Sequence, residues 1–161
     1  MATLRIGVLT SSDTRAAGAA EDTSGKALIE LSGGRGWEVV AYHLVPDDAD
    51  RIAAALVQMA DDDGCDIVLT TGGTGLSPRD VLPEVTLSLA DREVPGIGEH
   101  IRAESLKITG RAMLSRGTAG QRGSTLIINL PGSEKAVRES FGFIADQLEH
   151  AAEMMAGGGH G

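Results

Sequence analysis

The chain has 161 residues, the length of one ordinary domain, with 14 Lys and Arg against 23 Asp and Glu for a net charge of −9. That acidity opposes non-specific binding to nucleic acid or an anionic membrane, and four aromatics (Trp37, Tyr42, Phe141, Phe143) are too few for stacking single-stranded bases. No apolar run approaches the ~18 residues of a bilayer span, the one cysteine (Cys65) excludes an internal disulfide, and the N-terminus lacks a leader-type stretch, so the expected location is cytoplasmic.

Residues 4–10 (LRIGVLT) form the first expected strand, apolar on both faces. Asp22-Thr23-Ser24 then offers a helix cap, Leu28 and Leu31 an apolar stripe, and Gly33-Gly34 a stop. A second strand over 39–45 leads to Ile52, Leu56 and Met59, spaced i, i+4, i+7 on one helical face. The third strand covers 66–71. Helices follow over 83–90 and 96–108, then a short strand near 112–115 and a closing strand over 125–130. Val137, Phe141, Ile144, Leu148 and Met155 make the stripe of a long last helix. Strands without polar alternation belong in a sheet covered on both sides, and their alternation with helices implies βαβ crossovers. The expected fold class is α/β, a mostly parallel sheet with helices on both faces. One domain spans 1–156, and 157–161 is a flexible Gly-rich tail whose single His is no metal site.

In such a sheet, ligands bind beyond the carboxyl ends of the strands. The unusual residues fall there: Ser11-Ser12-Asp13-Thr14 after the first strand, Pro46-Asp47-Asp48 after the second, Thr70 to Gly75 after the third, Pro131-Gly132-Ser133 after the last. All four turns are expected at one edge. The Thr71-Gly72-Gly73-Thr74-Gly75 turn reads either as a tight turn or as a backbone cradle for phosphate; it is neither a P-loop nor a dinucleotide fingerprint. Asp47 and Asp80 read either as helix caps or as ligands of a hard cation such as Mg²⁺ shared with substrate phosphates, with Asp48 favouring the cap. Ser133 suits an N-cap that also welcomes an anion. Arg116, beside Ser115, is a phosphate clamp or a solvated charge, Ser12-Asp13 reads as part of the ligand edge or as an ordinary Asx turn, and His43 and His100 read as structural.

Together these segments resemble the MogA/MoaB family of molybdenum-cofactor biosynthesis proteins. The matching pieces are RIGVLTSSD (5–13), EDTSG (21–25), LVPDD (44–48), LTTGGTGLSPRD (69–80), DREVPGIGE (91–99), LSRGTAG (114–120) and LPGS (130–133). The resemblance runs from Leu4 to the last helix. It implies a three-layer α/β/α domain, assembled as a homotrimer or dimer of trimers, that transfers AMP from Mg²⁺-ATP to the terminal phosphate of molybdopterin and releases pyrophosphate. The product would pass to a separate molybdate-insertion enzyme, whose extra domains this chain has no residues to form. Carried over residue by residue, Asp47 and Asp80 are the catalytic aspartates and the Mg²⁺ ligands. Molybdopterin and ATP fall to Thr71, Gly72, Gly73, Thr74, Gly75, Ser115, Pro131, Gly132 and Ser133, with Ser12, Asp13 and Glu84 as additions. EDTSG leans toward the MoaB branch, so the alternative readings are a MoaB-type protein that binds molybdopterin without transferring AMP, or an oligomeric scaffold of the same pathway.

Overall fold

The computed structural model describes residues 3–158. In order they form β1 (Arg5–Ser11), α1 (Asp13–Ala16), α2 (Thr23–Gly34), β2 (Glu38–Val45), α3 (Ala49–Val57), β3 (Ile67–Thr71), α4 (Leu82–Leu89), β4 (Arg92–Glu93), α5 (Pro95–Leu106), β5 (Ala119–Arg122), β6 (Thr125–Leu130) and α6 (Glu134–Glu153). A π-helical turn (Gln58–Asp62) extends α3, a 3₁₀ turn (Gly110–Leu114) follows α5, and a π-helical turn (Met154–Gly158) ends α6. The six-stranded sheet has the order β2-β1-β3-β6-β5-β4. Its first four strands run parallel, while β5 is antiparallel to β6 and β4 to β5.

The lack of alternation in the strands has a direct cause. Successive side chains leave a strand on opposite faces, and both faces are covered here. Ile6 and Val8 of β1, with Leu126, Ile128 and Leu130 of β6, enter the core shared with Leu28, Val137, Phe141 and Leu148. Their neighbours Leu9 and Ile127 enter the opposite core with Ile52, Leu56, Met59 and Leu82. Helices α2, α5 and α6 therefore cover one face, α3 and α4 the other, and the result is a three-layer α/β/α sandwich. Each fully buried Leu or Ile contributes ~1.5–3 kcal/mol relative to exposure, so both faces of the sheet add to stability.

One local expectation needs correction. Residues 112–115 are not a strand: Thr109 caps the 3₁₀ turn, its side chain accepting from the Arg111 N–H at 3.3 Å, and Met113 and Leu114 point outward. The antiparallel strands are instead β4 and β5, which no pattern announced. Of the expected Gly-rich tail, Gly157 and Gly158 follow α6 with Gly157 at a non-helical φ of 86°, and 159–161 lie outside the described residues.

Candidate functional site at the carboxyl edge of the sheet

Parallel strands β1, β2, β3 and β6 all end at the same edge, and the structure draws their four following turns together. Ser11 Oγ donates to Asp47 Oδ1 at 2.6 Å, joining the turns after β1 and β2. Thr71 Oγ1 donates to the Pro131 carbonyl at 2.6 Å, joining those after β3 and β6. A Cβ on Gly72 would lie 2.3 Å from the Ser11 carbonyl oxygen, and one on Gly132 would lie 3.4 Å from Gly72 Cα. Only glycine allows the three backbones to approach so closely.

The glycine turn passes through two successive residues of positive φ, Gly72 at +91° and Gly73 at +67°, a conformation that favours glycine. The Gly72 N–H is used internally, donating to the Leu130 carbonyl at 3.3 Å. Those of Gly73, Thr74 and Gly75 have no acceptor among the described residues. The turn is thus both a tight turn and a set of free donors.

The carboxylates are held differently from one another. Asp47 is gripped at both oxygens, by Ser11 Oγ and by the Asp13 N–H at 3.1 Å, and its own N–H donates to Asp13 Oδ1 at 2.9 Å. Asp13 in turn takes a bidentate pair of bonds from Arg79, at 3.0 and 2.9 Å. That guanidinium first, and the Asp47 N–H second, hold the Asp13 carboxyl below the ordinary carboxylate range. Asp80 follows Arg79 and uses one oxygen to accept the Ser77 N–H at 3.0 Å, leaving Oδ1 without a donor among the described residues. Neither Asp47 nor Asp80 caps a helix: Asp48 caps α3, accepting from the Arg51 N–H at 2.9 Å, and α4 starts at Val81 with no side-chain cap. Ser12 and Ser133 do act as caps, of α1 and α6.

Arg116 is neither a free clamp nor a solvated charge. It braces the glycine loop, donating to the carbonyls of Gly75 and Asp80, each at 2.8 Å, while pairing with Glu84. Glu84 therefore enters through Arg116. On the β1 side Arg15 plays a similar part, lying 3.5 Å from the buried Asp22 and 3.3 Å from the Gly132 carbonyl. Asp22, of the EDTSG segment, caps α2 through the Gly25 N–H at 3.0 Å.

Ser115, Pro131 and Ser133 line a cavity of about 400 Å³ between α5 and α6, together with Arg102, Arg111 and Lys135. Arg102 fixes its rim by donating to the Gly117 carbonyl at 2.6 Å, an approach that Gly98 permits, since a Cβ there would sit 2.7 Å from the same oxygen. Arg111 and Ser115 also line a neighbouring hollow with Thr74 and Gly75, which sets the cavity beside the glycine turn. Among the described residues, three Arg or Lys side chains have no hydrogen-bond or ion-pair partner: Arg51, Arg111 and Lys135. Arg51 lines a hollow with Asp13 and Pro46, so all three face this edge. Sequence reasoning missed Arg51, Arg102, Arg111 and Lys135; being uncommitted is a property of the fold, and no motif marks it.

No group of three or more His, Cys, Asp or Glu side chains among the described residues can hold a metal by itself. A divalent cation here would depend on ligand oxygens for most of its shell, as Mg²⁺ commonly does. Asp47 and Asp80 suit that arrangement, both being hard oxygen donors, with Oδ1 of Asp80 open.

Free backbone donors, uncommitted cations and oriented carboxylates at a parallel sheet's carboxyl edge define a domain for anionic small molecules. Residues 7–150 match the family described as a probable molybdopterin binding domain, and the chain belongs to it. It is 40% identical to a molybdopterin adenylyltransferase of Helicobacter pylori over 159 residues, which cover 98% of this chain and 90% of that protein. Among solved structures, the molybdopterin biosynthesis enzyme MoaB of Thermus thermophilus superposes with a TM-score of 0.90 at 48% identity, covering 96% of this chain and 98% of that one. The tungsten cofactor synthesizing protein MoaB of Pyrococcus furiosus gives 0.87 at 38% identity, covering 95% and 97%.

Proposed function

We propose that the protein is a molybdopterin adenylyltransferase of molybdenum-cofactor biosynthesis. A terminal phosphate oxygen of molybdopterin attacks the α-phosphorus of ATP in line. The bond from that phosphorus to the α,β-bridging oxygen breaks, and pyrophosphate leaves with its electron pair. The observation that carries the reading is the coupling of Asp47, clamped at both oxygens, to a glycine turn in which the N–H groups of Gly73, Thr74 and Gly75 have no acceptor among the described residues. Relatives named for this activity match along nearly the whole chain.

Bringing two phosphate-bearing ligands together on a chain of net charge −9 requires local neutralisation. The N–H groups of Gly73, Thr74 and Gly75 supply part of it at one phosphate, with Thr74 adding a hydroxyl. Arg51 and Arg111 supply fixed positive charge on either side. Asp47 and Asp80 would hold Mg²⁺, which when bound withdraws charge from the ATP phosphates and eases pyrophosphate departure. Ser11 and Asp13 keep Asp47 in one rotamer, and Arg116 keeps the Gly75–Asp80 loop in place, so the reacting groups need not reorganise. Ser12 and Ser133 expose helix N-termini to the same ligands.

A homotrimer or dimer of trimers is the proposed assembly. It is supported by an apolar groove beside β4 and the end of α6, lined by the half-buried Ile97, Ala151 and Met155 over the buried Leu126. One domain over 1–156 is supported by the continuous sheet and the family match over 7–150. A cytoplasmic location is proposed, supported by the use of ATP, and handover of the adenylylated product to a separate molybdate-inserting enzyme is part of the same proposal. No helix among the described residues is long and apolar enough to cross a membrane.

The test is anaerobic incubation of the purified protein with molybdopterin and Mg²⁺-ATP. The reading expects stoichiometric pyrophosphate and adenylylated molybdopterin. Molybdopterin binding without pyrophosphate release would instead identify a non-catalytic binding protein, the reading to which the MoaB-like EDTSG segment leans.

A further inference from the structure

Asp22 is buried more deeply than a helix cap requires. Capping α2 uses one oxygen for one N–H, a task that Ser, Thr or Asn performs as well at an exposed helix end. Asp22 is only 5% exposed and accepts at both oxygens. Oδ2 takes the hydroxyls of Thr10, at 2.8 Å, and of Tyr42; Oδ1 takes the Gly25 N–H at 3.0 Å, with Arg15 Nη1 3.5 Å away. Partial burial first, and the Asp22 bond second, hold the Tyr42 hydroxyl above its ordinary value, so it remains a donor. Three hydrogen bonds and an ion pair leave this carboxylate nothing to offer a ligand.

The chain makes room for the arrangement. A Cβ on Gly25 would lie 2.1 Å from Asp22 Oδ2 and 2.5 Å from Thr10 Oγ1, so the first turn of α2 carries a glycine, a poor helix former, to admit the carboxylate. That accounts for the Asp-x-x-Gly spacing within EDTSG, which none of the roles above uses.

What the buried charge holds is Arg15. Its Nη1 faces Asp22 and donates to Ser24 Oγ in α2 and, at 3.3 Å, to the Gly132 carbonyl in the turn after β6. Gly132 packs on the glycine turn beside Gly72, while Thr71 pins the preceding Pro131 carbonyl from the other side. Without its counter-charge a partly buried guanidinium is better solvated by water than by one carbonyl and one hydroxyl. We propose that Asp22 is a positioning residue: its charge fixes Arg15, and Arg15 fixes the Gly132 carbonyl and with it the Pro131–Ser133 turn in the place the reaction uses. The inference rests on the adenylyltransferase reading given above.

Asp22→Asn, Arg15→Met, Arg15→Lys and the Asp22→Asn/Arg15→Met double variant are compared with wild type in kcat for pyrophosphate release and in the ¹³C′ shift of Gly132. Asparagine keeps an oxygen for the Gly25 N–H, and the Thr10 and Tyr42 hydroxyls can accept from its amide, so the charge alone is lost. Asp22→Asn and Arg15→Met should each lose ~10–100-fold in kcat, the scale of a small misplacement of reacting groups, and the double variant should lose no more than either. The Gly132 carbonyl resonance should move upfield equally in both single variants as its hydrogen bond is lost. Arg15→Lys, which keeps a charge and a donor, should recover part of the kcat missing from Arg15→Met. Wild-type kcat in Asp22→Asn would reduce Asp22 to a helix cap, and losses that multiply in the double variant would show the two residues acting separately; either overturns the proposal. Should Asp22→Asn fail to fold, the Arg15 variants carry the test, and wild-type kcat in Arg15→Met overturns it. A wild-type protein that releases no pyrophosphate would overturn the proposed function instead, and an unmoved Gly132 shift in Asp22→Asn would still overturn the tether.

Discussion

Asp13 and Asp47 hold each other's backbone: each carboxylate accepts the other's N–H, at 2.9 and 3.1 Å. The exchange locks the turns after β1 and β2, and it leaves the Asp13 carboxylate bridging Asp47 on one side and Arg79 on the other. Asp13→Ala therefore frees both at once. Adenylylation should fall ~100-fold, the scale set by small misplacements of reacting groups. Asp13→Asn retains an acceptor for the Asp47 N–H and should lose less. Steady-state pyrophosphate release from the two variants checks the ranking.

The same pair sets a pH expectation. Arg79 first, and the Asp47 N–H second, lower the Asp13 carboxyl below its ordinary value of 3.8. A depressed folded-state pKa means that the favourable pairing is fully present above the ordinary value and fades only as pH falls through the lower one. Asp13 should thus stay ionised throughout the neutral and mildly acidic range. A ¹³C-detected carboxyl titration should place its midpoint below 3.8, and Arg79→Gln should move it upward.

Gly72→Ala tests the close approach of the turns. The new Cβ would meet the Ser11 carbonyl oxygen at 2.3 Å, and φ is +91°. Backbone atoms cannot step aside as a flexible side chain can, so strain and overpacking together should cost ~2–4 kcal/mol. At ~2–4 °C per kcal/mol for a chain of this size, the melting temperature should drop by ~5–15 °C. Gly96→Ala, where nothing lies within 4 Å, should melt close to wild type.

Cys65 offers a probe of the core that is independent of the site. It is 3% exposed, and burial, reinforced by Asp63, pushes its thiol up to about 11. Iodoacetamide at pH 8 should leave the folded protein unmodified and label it stoichiometrically in denaturant. Rapid labelling of the native protein would contradict the packing of the α3–α4 layer described above.

The parallel half of the sheet was legible because both of its faces are buried: runs such as LRIGVLT have no polar side to show. The turns at its carboxyl edge were legible for the opposite reason, since Gly-Gly-Thr-Gly and paired aspartates fit neither a buried strand nor the apolar face of a helix. The antiparallel half was opaque. Strand β5 is Ala-Gly-Gln-Arg, with no β-branched residue, and its Gly120 reflects close packing against Ala90, where a Cβ would sit 2.6 Å away. At 112–115 the apolar Ala-Met-Leu run misled, because Met113 and Leu114 are exposed rather than buried in a sheet. The cavity residues Arg102, Arg111, Lys135 and Glu139 are ordinary helix or turn charges in the sequence. Only the packing of α5 beside α6 makes them neighbours.

Asp80→Asn bears most directly on the catalytic role of the edge. Asparagine still offers an oxygen to the Ser77 N–H, so the loop and the glycine turn should keep their form. Molybdopterin affinity should match wild type, while Mg²⁺-dependent pyrophosphate release in the presence of molybdopterin should fall by ~10²-fold or more. Release at the wild-type rate would contradict the account, removing Asp80 from the chemistry and leaving the carboxyl edge as a binding surface alone.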